Sequence, residues 1–160
     1  MAGIDIRTAT PDDVGLILQL IKELADYEKL RHTVRATEQG LRETLFGEGR
    51  VAEAVIASLD GVSAGYAIFF PNYSTFEGRP GLYLEDLYVR PEARRQGIGR
   101  ALLEHLAKIA VDRDWARMEW SVLDWNAPSI AFYNSLGAKA MADWTTFRVT
   151  GEALRKLGGA

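Results

Sequence analysis

Apolar and polar residues in this chain follow two periodicities, one typical of strands and the other typical of helices. The stretch "IDIRTA" alternates apolar and polar residues and predicts a first strand. Thr10, Pro11 and Asp13 come next, in the arrangement of an N-cap, a first helical position and an acidic residue three positions after the cap. The helix that starts there has one apolar face, formed by Val14, Ile17, Leu18, Ile21, Leu24 and Ala25.

The middle of the chain predicts a short helix, a hairpin and a strand. Thr37 is placed to cap a second helix that ends near Phe46 and Gly47. The apolar runs "RVAEAVIASL" and "SAGYAIFF" flank Asp60-Gly61, a dipeptide that favours a tight hairpin turn. The stretch "PNYSTFEGRPG" then predicts a loop, and "LYLEDLYV" predicts the strand after it.

The rest of the chain alternates helices and strands. A helix is predicted whose buried face consists of Ile98, Leu102, Leu106, Ile109 and Ala110. "ARMEWSVL" predicts a strand, and "DWNAPSIAFYNSLGA" predicts a loop and a short helix ending at Gly137. A last strand is predicted around "WTTFRVT", before a short helical tail. The whole pattern predicts one α+β domain over residues 1–160, with a mixed sheet whose parallel pair lies within residues 82–123.

Composition narrows the class of protein. The 160 residues are 48% hydrophobic and include no cysteine, which excludes a disulfide framework, a thiolate metal site and a nucleophilic thiol. The two histidines lack metal-ligand spacing, and neither a signal peptide nor an apolar run long enough to cross a bilayer is evident. These features predict a cytoplasmic protein that binds neither metal nor membrane.

Charge is divided unevenly along the chain. The net charge of −3 argues against binding to nucleic acid through bulk electrostatics. Residues 1–90 contain 14 acidic and nine basic residues, a net charge of −5, whereas residues 91–160 contain eight and ten, a net charge of +2. An acidic and a basic half suit one cationic and one anionic ligand, and ordinary surface variation is the alternative explanation.

Residues 90–103, "RPEARRQGIGRALL", place two arginines and two glycines in the turn between a strand and a helix. Glycines let backbone N–H groups converge, and a helix start adds unpaired N–H groups and the positive end of the helix dipole. A pyrophosphate fits this arrangement better than a lone carboxylate does. The dinucleotide fingerprint lacks its third glycine, because Leu102 stands there, and no Gly-Lys-Ser/Thr of a triphosphate loop follows. A purely structural turn is the alternative that these residues leave open.

The pattern Arg-x-x-Gly-x-Gly from Arg94 to Gly99 resembles the acetyl-CoA loop of the GNAT superfamily of N-acetyltransferases. "LYLEDLYV", "WNAPSIAFYNSLGA" and "IKELADYEKL" together resemble the spermidine/spermine and thialysine N-acetyltransferase branch of that superfamily. The resemblance implies a mixed, mostly antiparallel sheet with helices on both faces and a parallel pair splayed at the acetyl-CoA site. It also implies direct acetyl transfer in a ternary complex, and a homodimer.

For the coenzyme, the resemblance implies contacts that are mostly made by the main chain. The strand residues Leu87, Tyr88 and Val89 are expected to pair with the pantetheine arm as an added strand would. A backbone N–H there could also polarise the thioester carbonyl, since that needs only a fixed donor. The pyrophosphate is expected on the amides of the loop residues Arg94, Arg95, Gln96, Gly97, Ile98 and Gly99. Asn126 matches a coenzyme-binding residue of the family, and a helix cap is its alternative role.

Two residues are the candidates for proton transfer. Removing a proton from an alkylammonium with a pKa of about 10.4 costs about 4.6 kcal/mol at pH 7. The resemblance assigns Glu85 to take up that proton, directly or through water, whereas a salt bridge or a solvated face is its structural alternative. Strand alternation places Asp86 on the opposite face. Tyr133 is expected to protonate the departing thiolate, and packing on its helix is the alternative.

The acceptor amine is expected beside a second group of residues. Tyr27 and Glu28 match the amine-binding edge of the family, and Glu119, Trp120 and Ser121 are placed to line the acceptor pocket. Only Glu77 and Asp143 stand where polyamine-selective relatives have further acids, so a polyamine preference is not implied. We therefore expect a small cationic amine, such as a diamine, polyamine or lysine-like amino acid. A protein or peptide acceptor and a non-catalytic acetyl-CoA-binding module are the alternatives.

Overall fold

The structure is a computed structural model that describes residues 3–160. Its residues group into two compact units, one ending at Ser121 and the other spanning Val122–Ala160. The first unit contains the following strands and helices: β1 (Ile4–Thr8), α1 (Val14–Tyr27), α2 (Glu38–Phe46), β2 (Glu53–Leu59), β3 (Val62–Ser74), β4 (Arg79–Val89), α3 (Ile98–Asp112) and β5 (Met118–Glu119). The second unit contains α4 (Ala127–Ser135) and α5 (Gly151–Leu157). The prediction of a single domain over residues 1–160 stays a prediction.

The sheet of the first unit has its strands in sequence order, β1-β2-β3-β4-β5. The first four strands are antiparallel, and β5 is parallel to β4 because α3 returns the chain to the same end of the sheet. This arrangement confirms the predicted α+β fold with a mixed, mostly antiparallel sheet and one parallel pair. The hairpin at Asp60-Gly61 is confirmed as well, since both residues have the positive φ (50° and 82°) that a tight hairpin turn requires.

Helices cover both faces of the sheet. One face buries Tyr66, Ile68 and Tyr88 together with Ile17 and Leu20 of α1. Helix α3 contacts β1 to β4, and its buried residues are Ile98, Leu102, Leu103, Leu106 and Ala110. In α1, Leu20 is buried, whereas the predicted Leu18 is only half-buried. Thr10 is the N-cap of a 3-10 turn, Pro11–Asp13, and its N–H donates to Oδ2 of Asp13 (2.7 Å). Helix α1 itself begins three residues later than predicted, with Asp13 as its N-cap.

Three predictions about the strands were wrong in extent or existence. The stretch predicted as one long loop after Phe70 is mostly strand, and only residues 75–78 form the turn between β3 and β4. The strand predicted from "ARMEWSVL" contains just two residues, Met118 and Glu119. Residues 144–150, "WTTFRVT", form no strand within the part of the chain that the structure describes. Strand propensity mainly measures packing against a neighbouring strand, and no sheet partner pairs with this segment.

Candidate active site

Strand β4 has an open edge on the side of β5. The two strands pair only at Leu82–Met118 and Tyr83–Glu119, although β4 continues for six more residues. In residues 3–160, no strand covers this edge of β4 after Tyr83. An open strand edge presents backbone N–H and C=O groups to any extended partner. Pairing between β4 and β5 therefore ends after Tyr83, as expected of a splayed parallel pair, and it leaves the C-terminal half of β4 without a strand neighbour on this side.

The pairing with β3 determines which backbone groups point to that edge. Arg90 N donates to the carbonyl of Ala64 (2.7 Å), so their pair is a hydrogen-bonded pair of the antiparallel ladder. Such pairs alternate along the strand. The N–H and C=O of Tyr88 therefore face β3, where the Tyr88 carbonyl is in close contact with Gly65. Leu87 and Val89 present theirs to the open edge. Of the three residues predicted to pair through the main chain, the structure brings two to the edge.

The turn after β4 has a backbone suited to an anion. Arg95 (φ 62°) and Gly97 (φ 88°) are left-handed, and α3 begins directly after Gly97. No backbone carbonyl within residues 3–160 accepts from the N–H groups of residues 95–97, and helix geometry leaves those of residues 98–100 without an intrahelical acceptor. Left-handed residues beside right-handed ones turn such N–H groups toward a common side. The loop therefore fits the pyrophosphate that its sequence predicts.

Gly97 and Gly99 serve this turn in different ways. Gly97 needs to be glycine because of its positive φ, which other residues rarely adopt. Gly99 has an ordinary backbone conformation, and a Cβ there would lie 4.0 Å from the Val89 side chain. A side chain at position 99 is therefore compatible with the protein itself. The absence of one leaves the approach to the first turn of α3 clear for a ligand.

Arg94 is exposed, but its side chain lies against β4 and the end of α1. Its Nε donates to the carbonyl of Val89 (2.9 Å). Its guanidinium carbon lies 4.9 Å from the ring centre of Tyr27 and 5.8 Å from that of Tyr88. Arg95 is exposed, and it makes no side-chain hydrogen bond or ion pair with any residue from 3 to 160. The two arginines predicted to act alike therefore lie in different environments.

A β-bulge lies at the acidic pair of "LYLED". The register between β3 and β4 shifts so that Ile68 pairs with Asp86 and Phe69 pairs with Leu84, which leaves Glu85 as the extra residue. Simple alternation does not hold across a bulge, so alternation does not place Glu85 and Asp86 on opposite faces in this strand. Glu85 is exposed, and Asp86 lies on the face that α1 covers, with Tyr66 and Tyr88.

Asp86 and Glu28 form an acidic pair at the end of α1. The Tyr66 hydroxyl donates to Oδ2 of Asp86 (2.7 Å), and Tyr66 is fully buried. Burial raises the pKa of Asp86, and the hydrogen bond from Tyr66 opposes that rise. The pKa of Glu28 is raised too, by burial and by the charge of Asp86. Two neighbouring carboxylates with raised pKa values favour a bound cation.

Tyr66 and Asp86 were not predicted as site residues. The sequence held a signal for Tyr66, since a tyrosine within the apolar run "SAGYAIFF" must find a partner for its hydroxyl when it is buried. No sequence signal identified the face of Asp86, because the bulge depends on the pairing of two strands.

Two of the three residues expected near β5, Glu119 and Ser121, lie beside Tyr83 of β4. Glu119 lies opposite Tyr83 in the ladder, and its Oε1 accepts from Asn72 (3.2 Å) and lies 3.4 Å from Nε of Arg117. Ser121 is in hydrogen-bond contact with the Tyr83 hydroxyl (3.2 Å). Trp120 is half-buried between them. Glu119 is thus already paired with a cation, which leaves Asp86 and Glu28 as the better-placed acids for an acceptor.

The remaining two predicted residues belong to the second unit, which is described by itself. Asn126 is buried and is the N-cap of α4, where its Oδ1 accepts from the N–H of Ser129 (3.4 Å). Tyr133 is half-buried on α4, with its ring centre 5.7 Å from that of Phe132. Gly137 ends this region with φ 88°, as predicted. The helix-cap role proposed as an alternative for Asn126 is therefore observed.

No group of three or more His, Cys, Asp or Glu side chains in residues 3–160 is arranged to hold a metal ion. Among the helices of those residues, none has both the length and the apolar character needed to cross a bilayer.

The sequence and fold are similar to those of known acetyltransferases. The profile of the Acetyltransferase (GNAT) family matches residues 17–138. A thialysine N-epsilon-acetyltransferase from Sus scrofa is 39% identical over 99% of both chains. An L-ornithine N5-acetyltransferase from Arabidopsis thaliana is 35% identical over 95% of this chain and 86% of its own. Among solved structures, an integron cassette protein from V. cholerae is 27% identical over 98% of both chains, with a TM-score of 0.80.

Proposed function

The chain belongs to the acetyltransferase (GNAT) family, and we propose that it moves an acetyl group from acetyl-CoA to the primary amine of a small cation. The observation that carries the proposal is the arrangement around β4. The strand has an open edge, it ends in a turn of N–H groups without backbone acceptors, and it carries a carboxylate pair on one face. An anion site and a cation site on one strand suit a ternary complex of coenzyme and amine.

The coenzyme is proposed to bind along β4 and the turn after it. The backbone groups of Leu87 and the N–H of Val89 are available at the open edge, where the pantetheine amides can pair with them as an added strand would. The N–H of Arg94, one of the predicted donors, already donates to the carbonyl of Pro91 (3.3 Å). The amides of residues 95–100 are therefore proposed to hold the pyrophosphate. Arg95 supplies a positive charge there, and Asn126 is retained as a proposed coenzyme contact.

The acceptor is proposed to place its cationic group beside Asp86 and Glu28. Both side chains lie on the α1 side of the sheet. Burial raises the cost of ionising each of them, and the charge of Asp86 raises it further for Glu28. A bound ammonium relieves that cost, so the pair selects a small cation. The names of relatives support the same class, since they are described as acting on thialysine and L-ornithine. Tyr27 and Ser121 are proposed to contribute to the same pocket.

The chemistry consists of one bond exchange and two proton movements. The ammonium loses a proton to Glu85 or to a water beside it, because only the neutral amine is a nucleophile. The amine nitrogen then forms a bond with the acetyl carbon, and the carbon–sulfur bond breaks. Tyr133 gives its hydroxyl proton to the thiolate and regains one from the nitrogen through solvent. An ammonium and a thioester thereby yield an amide, a thiol and one proton. A backbone N–H at the open edge of β4 is proposed to stabilise the oxyanion.

Release of free thiol from acetyl-CoA tests this function directly. We expect release to depend on added thialysine, ornithine or diamines, and to be absent with short peptides. Release with peptides alone would make the protein a peptide acetyltransferase, and coenzyme binding without release would make it a binding module. Tyr133→Phe should bind acetyl-CoA as the native protein does while losing at least about 10²-fold in kcat, the usual size of general acid catalysis. Unchanged turnover would remove Tyr133 from this role.

A homodimer is proposed as the assembly. The second unit exposes large apolar side chains, including Trp144 (76% exposed), Phe147 (92%) and Leu157 (77%). Large apolar patches on a surface usually mark a protein interface, and these side chains are proposed to contribute to one. Light scattering should give twice the 17.8 kDa chain mass, and Phe147→Asp should shift the protein toward the monomer. A monomeric native protein would refute the proposal. The cytoplasmic location stays a prediction from the sequence.

A further inference from the structure

Arg94 connects three parts of the N-terminal unit. It begins the proposed pyrophosphate loop, its Nε–H donates to the last carbonyl of β4, and its guanidinium lies against Tyr27 at the end of α1. The distance of 4.9 Å to the Tyr27 ring centre is well within the range of a cation–π contact. A second ring, that of Tyr88, lies 5.8 Å away. The guanidinium is thus held by one hydrogen bond and two aromatic rings.

These contacts give Arg94 partners that the neighbouring arginine lacks. Both arginines are exposed, but Arg94 uses its Nε–H and the face of its guanidinium within the protein, whereas Arg95 makes no side-chain hydrogen bond or ion pair with residues 3–160. The Arg94 side chain is instead turned back toward β4 and α1. Because a guanidinium is planar and rigid, it can hold two elements at a fixed separation in a way that the flexible lysine side chain cannot.

We propose that Arg94 is a positioning residue that couples acceptor binding at the end of α1 to coenzyme binding at the loop of residues 94–99. The inference rests on the proposed function, because it takes Glu28 and Asp86 as the acceptor site. Tyr27 is the last residue of α1, and Glu28 follows it directly. Fixing Tyr27 therefore fixes the backbone that carries Glu28. A coenzyme that orders the loop also orders this end of the acceptor site.

Coupling of this kind is reciprocal and can be measured by binding alone. If bound coenzyme raises acceptor affinity by some factor, bound acceptor must raise coenzyme affinity by the same factor. Couplings between sites in proteins begin at about fivefold. Coenzyme A and thialysine are suitable probes, because together they cannot react. Isothermal titration calorimetry then gives the affinity of each with and without the other.

Variants at positions 94 and 95 distinguish coupling through the Arg94 contacts from an effect of positive charge alone. For the native protein we expect coenzyme A to tighten thialysine binding by about fivefold or more. Arg94→Ala and Arg94→Lys should both bring that factor close to one, because lysine keeps the charge but loses the stacked plane and the Nε–H. Arg95→Ala is the matched control, and it should weaken coenzyme binding while the factor is retained.

Tyr27 supplies a second, independent test of the same contact. Tyr27→Phe keeps the ring and should keep the coupling factor, whereas Tyr27→Leu should lose it. Coupling that survives in Arg94→Lys would show that charge is sufficient, and the inference would fall. The inference would also be overturned if Arg94→Ala lowered coenzyme affinity but kept the native coupling factor. Failure of the proposed function would look different, since the native protein would then not acetylate any amine.

Discussion

Leu87→Pro tests whether the open edge of β4 binds the coenzyme. Proline removes one backbone N–H, and in this structure the N–H of Leu87 points away from β3. The substitution therefore deletes a donor at the open edge without removing a hydrogen bond from the sheet. Proline is tolerated on strands with such an outward N–H, and the strand conformation of Asp86 is compatible with a following proline.

The size of the effect depends on what the N–H contacts. A hydrogen bond to the pantetheine arm contributes about 0.5–1.5 kcal/mol, which is about two- to tenfold in coenzyme affinity. A donor to the thioester carbonyl contributes about 2.7–4 kcal/mol to the transition state, about 10²–10³-fold in kcat. Leu87→Ala removes the half-buried side chain but keeps the N–H, so the ratio between the two variants isolates the donor.

The measurement is kcat and KM for acetyl-CoA in the thiol-release assay, with folding checked by circular dichroism. We expect kcat/KM of Leu87→Pro to be at least about fivefold below that of Leu87→Ala, within the range set by these two contacts. Tyr88→Pro is the structural control, and it should lose stability because the Tyr88 N–H faces β3. Equal kcat/KM values for the two Leu87 variants, both folded, would show that the edge does not bind the coenzyme.

Two further predictions concern ionisable side chains. Asp13 accepts two hydrogen bonds of 2.7 Å from Arg7 and one from the N–H of Thr10. These bonds lower the pKa of Asp13 to about 2. Asp13→Asn should therefore lower the free energy of unfolding by about 1–2 kcal/mol at pH 7. That difference should be present above about pH 4 and should shrink as the pH falls toward 2. Urea unfolding measures it, and a difference in unfolding free energy that does not change with pH would contradict the prediction. Tyr66→Phe removes the hydrogen bond that opposes the rise in the pKa of Asp86. The acidic limb of the pH profile of kcat/KM should therefore move to higher pH. A limb that stays in place would show that Asp86 need not be ionised.

The parts of the site that could be predicted from sequence are those built by adjacent residues. The turn "ARRQGIG" combines a left-handed glycine, a helix start and two arginines within a few positions, and each has its effect wherever the chain folds locally. The open edge was expected only through the family resemblance. Its main-chain detail, with Leu87 and Val89 outward and Tyr88 inward, follows from the register with β3, and register is a property of two strands.

The position of Asp86 could not be predicted from the sequence either. Glu85 and Asp86 are adjacent in sequence, and alternation would separate them onto two faces. One extra residue in β4 cancels that rule and brings Asp86 to Tyr66 and Glu28. Arg94 is a similar case, since "EARRQG" contains two adjacent arginines, and only the Val89 carbonyl and the nearby tyrosine rings distinguish them.

By itself, the sequence determined the order of the helices and strands as far as α4, the tight hairpin turn, the glycine-rich turn before α3 and the absence of thiol chemistry. Periodicity, capping and turn residues act over a few positions, so they can be recognised in the sequence alone. Tertiary structure alone decided that "WTTFRVT" forms no strand, that β4 is bulged at Glu85, and that Arg94 points to Tyr27. Each of these depends on a partner distant in sequence, and hydrogen-bond pairing and ring contacts exist only once that partner is in place.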